Sequence, residues 1–303
     1  MNNQIKHVLV GVDGGGTKCR ACVFTPDMQP LGYGVSGPAN ISRYSANAFE
    51  SIQHSVKLAL FDARIDWPQS NLKVDVFAGL AGYNVPSAKA ELNAWQHPFA
   101  SLTATTDLSA ALYGAHDGED GSILLIGTGS CAASLKNSEV HQIGGHGFQL
   151  GDKGSGAWLG QQALTRVLLH VDGDDTPGFA EFASAMMETL KVQHGRQIVD
   201  QYCRAAPADF AKLAPDVFAL ANQGQSVALQ IVSEGVEYLD RIAKQALAIS
   251  GGTIALVGGL SDSIRPRLSD EIKQHIRPAQ HGAEKGAVLW GLSENQLASA
   301  AAG

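Results

Sequence analysis

The stretch VLVGVDGGGTKCRACVF, Val8–Phe24, decides how the rest of the chain is read. An apolar β-type run leads into Asp13 and three consecutive glycines, and Gly11 and Gly16 stand at the spacing of a nucleotide P-loop. Such a loop needs a helix after its lysine, because the helix N-terminus and successive N–H groups meet the phosphates. Here Lys18 opens the alternating run KCRACVF, which reads as a strand, and Thr17 and Lys18 come in the reverse of the P-loop order. The stretch is therefore read as a β-hairpin turning at Gly14, Gly15, Gly16 and Thr17. Glycine removes the Cβ and admits positive φ, so this turn is either a plain reversal or a cradle that an anion can approach closely.

Working outward, strands are expected at residues 7–13, 18–24 and 31–36, joined by glycine and proline turns as an antiparallel meander. A helix over 44–63, a strand over 74–82, a helix over 87–96, a strand over 101–107 and a helix over 108–116 continue as β-α-β-α. That predicts a five-stranded mixed sheet. HDGEDG, residues 116–121, is polar and glycine-bearing and suits a domain boundary. Beyond it SILLIGTGSCAASL, residues 122–135, repeats the strand, glycine turn and strand of the opening, a weak internal duplication. A strand near 140–144, a long helical region over 158–249, a strand over 253–260 and helices near 266–276 and 282–292 complete the pattern. The expected fold is α/β, with one domain over 1–118, a larger one over 119–284, and the C-terminal helix from about 285 packing back on the first. Two related domains imply a cleft for a small ligand.

The 303 residues suffice for two cores. With 22 basic against 29 acidic residues, the net charge of −7 offers no general attraction to nucleic acid or an anionic membrane. The N-terminal apolar run is broken by Asp13, too early for a signal-peptide core or a membrane span, so a cytoplasmic protein is expected. The terminal ASAAAG is expected to fray. Four cysteines are too few and scattered for a disulfide framework. Cys19 and Cys22 form a CxxC, but residues three apart on a strand point to opposite faces and cannot chelate one metal.

Gly127–Ser130 (GTGS) is a second glycine-threonine turn. The two turns together suit a phosphate chain gripped from both sides, with Asp13 holding Mg²⁺ through water, since that ion keeps much of its hydration. Gly258 and Gly259 end a strand before a helix, where they either meet a nucleoside or only make the turn.

GVDGGGT, GPANI, TTD, GTGS, GGHG, GDKGSG and VGGL occur in the order and approximate spacing of the N-acetylglucosamine kinase and glucosamine kinase group, within the actin, Hsp70 and sugar-kinase superfamily and the BadF/BcrA-type ATPases. The chain resembles that group from Val8 to about Gly291. The resemblance implies two ribonuclease-H-like lobes, ATP and Mg²⁺ between them, and phosphoryl transfer to the 6-hydroxyl of an amino sugar by a protein that is commonly a homodimer. It implies that Asp13, Gly14, Gly15, Gly16, Thr17 and Lys18 serve the phosphates and metal, with Gly127, Thr128 and Gly129 opposite and Gly258 and Gly259 at the nucleoside. Asn40, Gly129, Gly144, Gly145, His146 and Asp152 would line the sugar.

Asp107 matches the group's catalytic base, and phosphoryl transfer asks of a protein mainly positioning, charge neutralisation and a group to take the hydroxyl proton. Asp107 also suits the N-cap of a helix starting at Leu108, worth about 1 kcal/mol. Asp152 sits in a plain glycine turn by composition. His146 stands where members preferring N-acetylglucosamine carry tryptophan, so the acetyl preference is left open. The other histidines read as surface or packing residues. Two alternatives share the fold: an ATPase activator of a radical dehydratase, which needs cysteines for a bridging iron–sulfur cluster, and a sugar sensor without catalysis, against which Asp107 and both phosphate turns speak. The zinc motif of the related regulator-derived kinases is missing from the sequence.

Overall fold

A computed structural model describes residues 6–43, 45–68 and 71–301. Contacts divide the chain into two compact units, residues 1–120 with 279–303 and residues 121–278. In chain order the elements are β1 (His7–Gly14), β2 (Cys19–Phe24), β3 (Pro30–Ser36), α1 (Ser45–Asp62), β4 (Lys73–Leu80), α2 (Pro86–Ala94), β5 (Ser101–Thr106) and α3 (Asp107–Ala115). The second unit holds β6 (Gly121–Ile126), β7 (Ser130–Lys136), β8 (Glu139–Gly144), α4 (Gly156–Val171), α5 (Phe179–Leu190), α6 (Gly195–Tyr202), α7 (Pro207–Ala211), α8 (Ala214–Asn222), α9 (Ser226–Ser250), β9 (Ile254–Val257), α10 (Ser261–Ile264) and α11 (Asp270–His275). The chain then returns to the first unit as α12 (Ala283–Ala301).

The first sheet has the order β3-β2-β1-β4-β5, with the first three strands antiparallel and β1, β4 and β5 parallel. The second repeats it without a fifth strand, β8-β7-β6-β9, with β6 and β9 parallel. Both are the ribonuclease-H-like arrangement, and the fold is α/β with that motif duplicated.

Alternation along β1 makes the first unit three layers deep. Val8, Val10 and Val12 face one way, into a core with Ile52, Val56 and Leu60 of α1. Leu9 faces the other way, with Cys22, Phe24, Phe77, Ala110 and Val288. Cys19 belongs to the first core and Cys22 to the second, so the CxxC is split between opposite faces. Glycines let α12 approach closely. A Cβ on Gly11 would lie 1.8 Å from the Glu284 carbonyl oxygen, and one on Gly286 would lie 1.9 Å from the Ala110 oxygen. The second unit packs Leu124, Ile126 and Ala132 against Leu159, Ala163, Val232 and Leu239 of the helices.

Several boundaries differ from the sequence reading. The last helix runs to Ala301, and residues 302–303 of ASAAAG, where fraying is expected, lie outside the described residues. The expected start of the first helix, Tyr44, also lies outside them. The strand expected over 253–260 stops at Val257, because Gly258 turns at φ +105 and its Cβ position would lie 2.3 Å from the Ile126 oxygen. The helix expected near 266–276 is divided into a short 3-10 turn and α11 by extended backbone at Leu268 and Ser269.

Candidate active site

In the first unit the parallel strands end together at Gly14, Leu80 and Thr106, the edge where open α/β sheets receive ligands. Asp13 pairs with Gly79, and Gly79 with Thr105. Two strand spacings therefore separate Asp13 from Thr105 by about 10 Å. Asp107 follows directly. It does not cap the helix, as one sequence reading had it: α3 begins at Asp107 itself, and Thr106 is the N-cap, its side chain accepting from Ser109 N at 2.9 Å. The Asp107 carboxylate accepts from Leu108 N at 2.9 Å. Burial raises its pKa above the usual carboxylate value, the Leu108 N–H works against that, and the charge of Asp13 adds to the rise. Thr106 thus carries the cap, and Asp107, bonded to Leu108 N, lies within the electrostatic reach of Asp13.

The hairpin turn lies one residue later than its sequence reading. Gly14 stays in β1 opposite Cys19, and the turn closes with Gly15 N donating to Lys18 O at 3.0 Å. Positive φ is not the reason for these glycines, since none of Gly14, Gly15 and Gly16 has it. Space is the reason at Gly14, where a Cβ would stand 2.6 Å from Leu80 Cδ2; Gly16 has nothing within 4 Å and is exposed, as are Thr17 and Lys18. Backbone bonds from Ala39 N to Gly15 O, 2.9 Å, and Ala81 N to Gly14 O, 2.8 Å, tie Asn40 beside the turn. Asn40 Oδ1 accepts from the backbone N and hydroxyl of Ser42, at 3.0 and 2.8 Å, leaving its amide group as the donor for a ligand. A cavity of about 510 Å³ opens there, lined by Gly16, Pro38, Asn40, Arg43, Asn47 and Glu50 among others. A larger one, about 1000 Å³, lies along the far end of α1 around Phe61 and Trp67, away from these residues.

Correct register brings in two residues that the sequence reading missed. Asp13 faces Arg20 across the hairpin, and Arg20 Nη2 donates to Asp13 Oδ2 at 2.8 Å. Arg20 Nε forms an ion pair with Glu284 Oε1 at 2.8 Å, off the line of a hydrogen bond. Setting the turn at Gly15–Lys18 would have predicted the Asp13–Arg20 pair; nothing local announces Glu284, which arrives on a helix more than 260 residues later. For a magnesium ion Asp13 offers one carboxylate with its other oxygen unengaged, and no cluster of three or more candidate ligands exists among the described residues. That donor set fits a hydrated ion held mainly by water and phosphate.

In the second unit the turn Gly127–Ser130 and the residues after β9 share one sheet end, because β6 and β9 run parallel with Leu125 beside Val257. Gly127 N donates to Gly129 O at 2.9 Å. The first turn of α4, capped by Ser155, closes the back of the loop: Gly156 N donates to Gly127 O at 2.8 Å and Ala157 N to Thr128 O at 3.3 Å. Thr128 remains exposed. Leu260 N bonds Ile126 O at 3.0 Å, which holds Gly258 and Gly259 at the same end.

Asp152, at φ +55, lies against this turn; its Oδ2 is 2.8 Å from where a Gly129 Cβ would be. Burial raises its pKa, opposed by backbone N–H groups of Gly147 and Ser130 and by His146. Gly144 and Gly145 have φ of +76 and +72. Two further residues missed in the sequence support them: Gln142 Nε2 donates to Gly144 O at 3.0 Å, and Tyr238 of α9 leaves no room for a Cβ on Gly144, its hydroxyl oxygen being 2.6 Å from that position. His146 is exposed. Each unit therefore assembles its share of the predicted residues around a glycine turn.

A duplicated ribonuclease-H-like sheet with glycine turns at the strand ends defines a protein of the actin-like ATPase and sugar-kinase class. Residues 10–291 match the BadF/BadG/BcrA/BcrD ATPase family, and the chain belongs to that family. It is 30% identical over 295 residues, 95% of this chain and 97% of the relative, to a glucosamine kinase of Vibrio cholerae serotype O1. Among solved structures, a candidate N-acetylglucosamine kinase from Chromobacterium violaceum superposes with a TM-score of 0.85 at 29% identity, covering 95% and 99% of the two chains. A ROK family glucokinase from Streptomyces griseus, solved with glucose and AMPPNP, shares the fold at 17% identity with a TM-score of 0.56 over 93% and 97%.

Proposed function

We propose that this protein is an ATP-dependent amino-sugar kinase that phosphorylates the 6-hydroxyl of glucosamine or N-acetylglucosamine. The observation that carries the reading is the 30% identity to a glucosamine kinase over nearly the whole of both chains. Asp107 takes the proton of the attacking hydroxyl, and its raised pKa suits a base that must also release that proton. The backbone of Gly14, Gly15, Gly16 and Thr17, with Lys18, and that of Gly127, Thr128 and Gly129 receive the phosphates, while Gly258 and Gly259 border the nucleoside. Asp13 holds hydrated Mg²⁺, which supplies charge neutralisation on the transferring phosphoryl group. Asn40, Gly144, Gly145, His146 and Asp152 orient the sugar. The reading carries with it a cytoplasmic location and a homodimer. It is favoured over an iron–sulfur activator because Cys19, Cys22 and Cys131 are buried and only Cys203 is an exposed thiol.

An ADP-release assay with glucosamine, N-acetylglucosamine, N-acetylmannosamine and glucose at equal concentration tests it, with the phosphorylated position read by NMR. Turnover on one of the first two with a 6-phosphate product is expected. Turnover on none of the four refutes the kinase reading.

A further inference from the structure

Amino-sugar phosphorylation by the residues above gives Arg20 and Glu284 no part. Their geometry nevertheless ties the C-terminal helix to the phosphate turn. Asp13 and Arg20 are cross-strand partners on β1 and β2, on the face that α12 covers. The register of α12 on that face is set by backbone contact: Gly11 admits the Glu284 carbonyl, Gly286 admits the α3 backbone, and Gly291 admits the Phe77 ring. None of these approaches survives a slip of the helix, so the Glu284 side chain is delivered to one place. There it is largely buried, with 14% of its side chain exposed, against 22% for Asp13 and 40% for Arg20.

We propose that Arg20 and Glu284 are positioning residues of the phosphate site: Glu284 fixes the Arg20 guanidinium, and Arg20 holds Asp13 Oδ2 so that Oδ1 faces the hydrated magnesium–nucleotide. The inference rests on the kinase reading for the role of Asp13. An aspartate alone on a strand end has rotamer freedom about χ1 and χ2, which would blur the placement of a water-mediated ion. A planar guanidinium engaged at Nε by a carboxylate on a docked helix, while its Nη2 bonds Asp13, removes that freedom. A guanidinium is not deprotonated in proteins. The cation therefore persists wherever the enzyme works. The arrangement also couples the site to the segment by which the chain re-enters this unit, since Gln280 N and His281 N bond the Ala115 and Gly114 oxygens just before Glu284.

The test compares wild type with Arg20→Met, Arg20→Lys, Glu284→Gln and the double variant Arg20→Met/Glu284→Gln, using calorimetric titration with AMPPNP in the presence and absence of Mg²⁺ alongside steady-state kinetics and thermal melts. Loss of a supporting partner of this kind costs about 10–100-fold in metal affinity or activity. The expected result is a fall of that order in kcat for Arg20→Met, weaker binding of AMPPNP only when Mg²⁺ is present, and an unchanged sugar KM. Arg20→Lys recovers part of the loss, Glu284→Gln shows a smaller one, and the double variant is no worse than Arg20→Met. Equal weakening without Mg²⁺ would mean that Arg20 touches the nucleotide directly and would overturn the proposal, as would Mg²⁺-dependent binding that is unchanged or tighter. Should Arg20→Met not fold, Arg20→Lys and Glu284→Gln carry the same comparison. Asp13→Asn separates this idea from its premise: wild-type binding and turnover in that variant reject the role of Asp13 itself, whereas a defect there with normal Arg20 variants rejects only the positioning.

Discussion

Asp152 and Gly129 are locked together: the carboxylate Oδ2 stands 2.8 Å from where a Cβ on Gly129 would be, although 23 positions separate them. Backbone N–H groups of Gly147 and Ser130 favour the charged form of Asp152 where it stands. Gly129→Ala therefore displaces a buried carboxylate from its donors. The expected result is a rise in sugar KM of about tenfold, the scale of one lost hydrogen bond to a charged group, with a smaller effect on the KM for ATP. A sugar KM equal to wild type would remove Asp152 from the sugar site.

Asp107 gives opposite expectations for activity and stability. As the base, its replacement by asparagine lowers kcat by about 10²–10⁴-fold while the equilibrium affinity for the sugar is largely kept. Its raised pKa means that the carboxylate is disfavoured in the folded protein. The sign follows from linkage: the favourable contribution exists below the unfolded-state pKa and is lost as pH rises through the folded-state pKa. At neutral pH the ionised Asp107 thus costs stability, and Asp107→Asn should melt at the same temperature or higher. A lower melting temperature would show that the carboxylate is a structural element rather than a strained functional one.

The same shift predicts a pH profile. Turnover needs the ionised form, so the acidic limb of kcat/KM should lie above the usual aspartate value of about 3.9. Part of the rise comes from the Asp13 charge. Asp13→Asn should therefore lower the Asp107 pKa, which the carboxyl ¹³C shift of Asp107 reports even where turnover is lost. An upward movement would contradict the electrostatic link between the two carboxylates.

The relation between sequence and structure follows the range of the forces involved. Strand alternation around Val8, Val10 and Val12 and the glycine clusters are local signals, and from them the order of the first sheet and both glycine turns were legible. The exact turn was not. Reading it at Gly14–Thr17 rather than Gly15–Lys18 puts Lys18 instead of Arg20 opposite Asp13, a shift of two residues, and that alone hides the Asp13–Arg20 pair. Asp107 stands at the sheet end where the sequence reading put it, but the cap expected of it falls to Thr106, the residue before it, since a threonine and an aspartate in sequence both suit that position. Glu284, Tyr238 and Gln142 owe their positions to tertiary docking, for which a single sequence holds no periodic trace.

Gly11 and Gly16 belong to the same glycine-rich stretch yet should respond oppositely to alanine. At Gly11 the new Cβ would meet the Glu284 backbone at 1.8 Å, and neither β1 nor α12 can yield without disturbing the contacts at Gly286 and Gly291. Overpacking of this kind costs about 1–3 kcal/mol, occasionally more, so Gly11→Ala should lower the melting temperature by several degrees, and its displaced Glu284 should reproduce part of the Arg20 phenotype. At Gly16 nothing lies within 4 Å and φ is not positive, so Gly16→Ala should leave the melting temperature nearly unchanged. If the turn receives the phosphates as proposed, its Cβ instead occupies their space and raises the KM for ATP. Melting curves and ATP titrations of the two variants decide the matter: a stable Gly11→Ala would mean that α12 docks less tightly than its backbone contacts imply, and a Gly16→Ala with normal ATP dependence would remove that turn from the phosphate site.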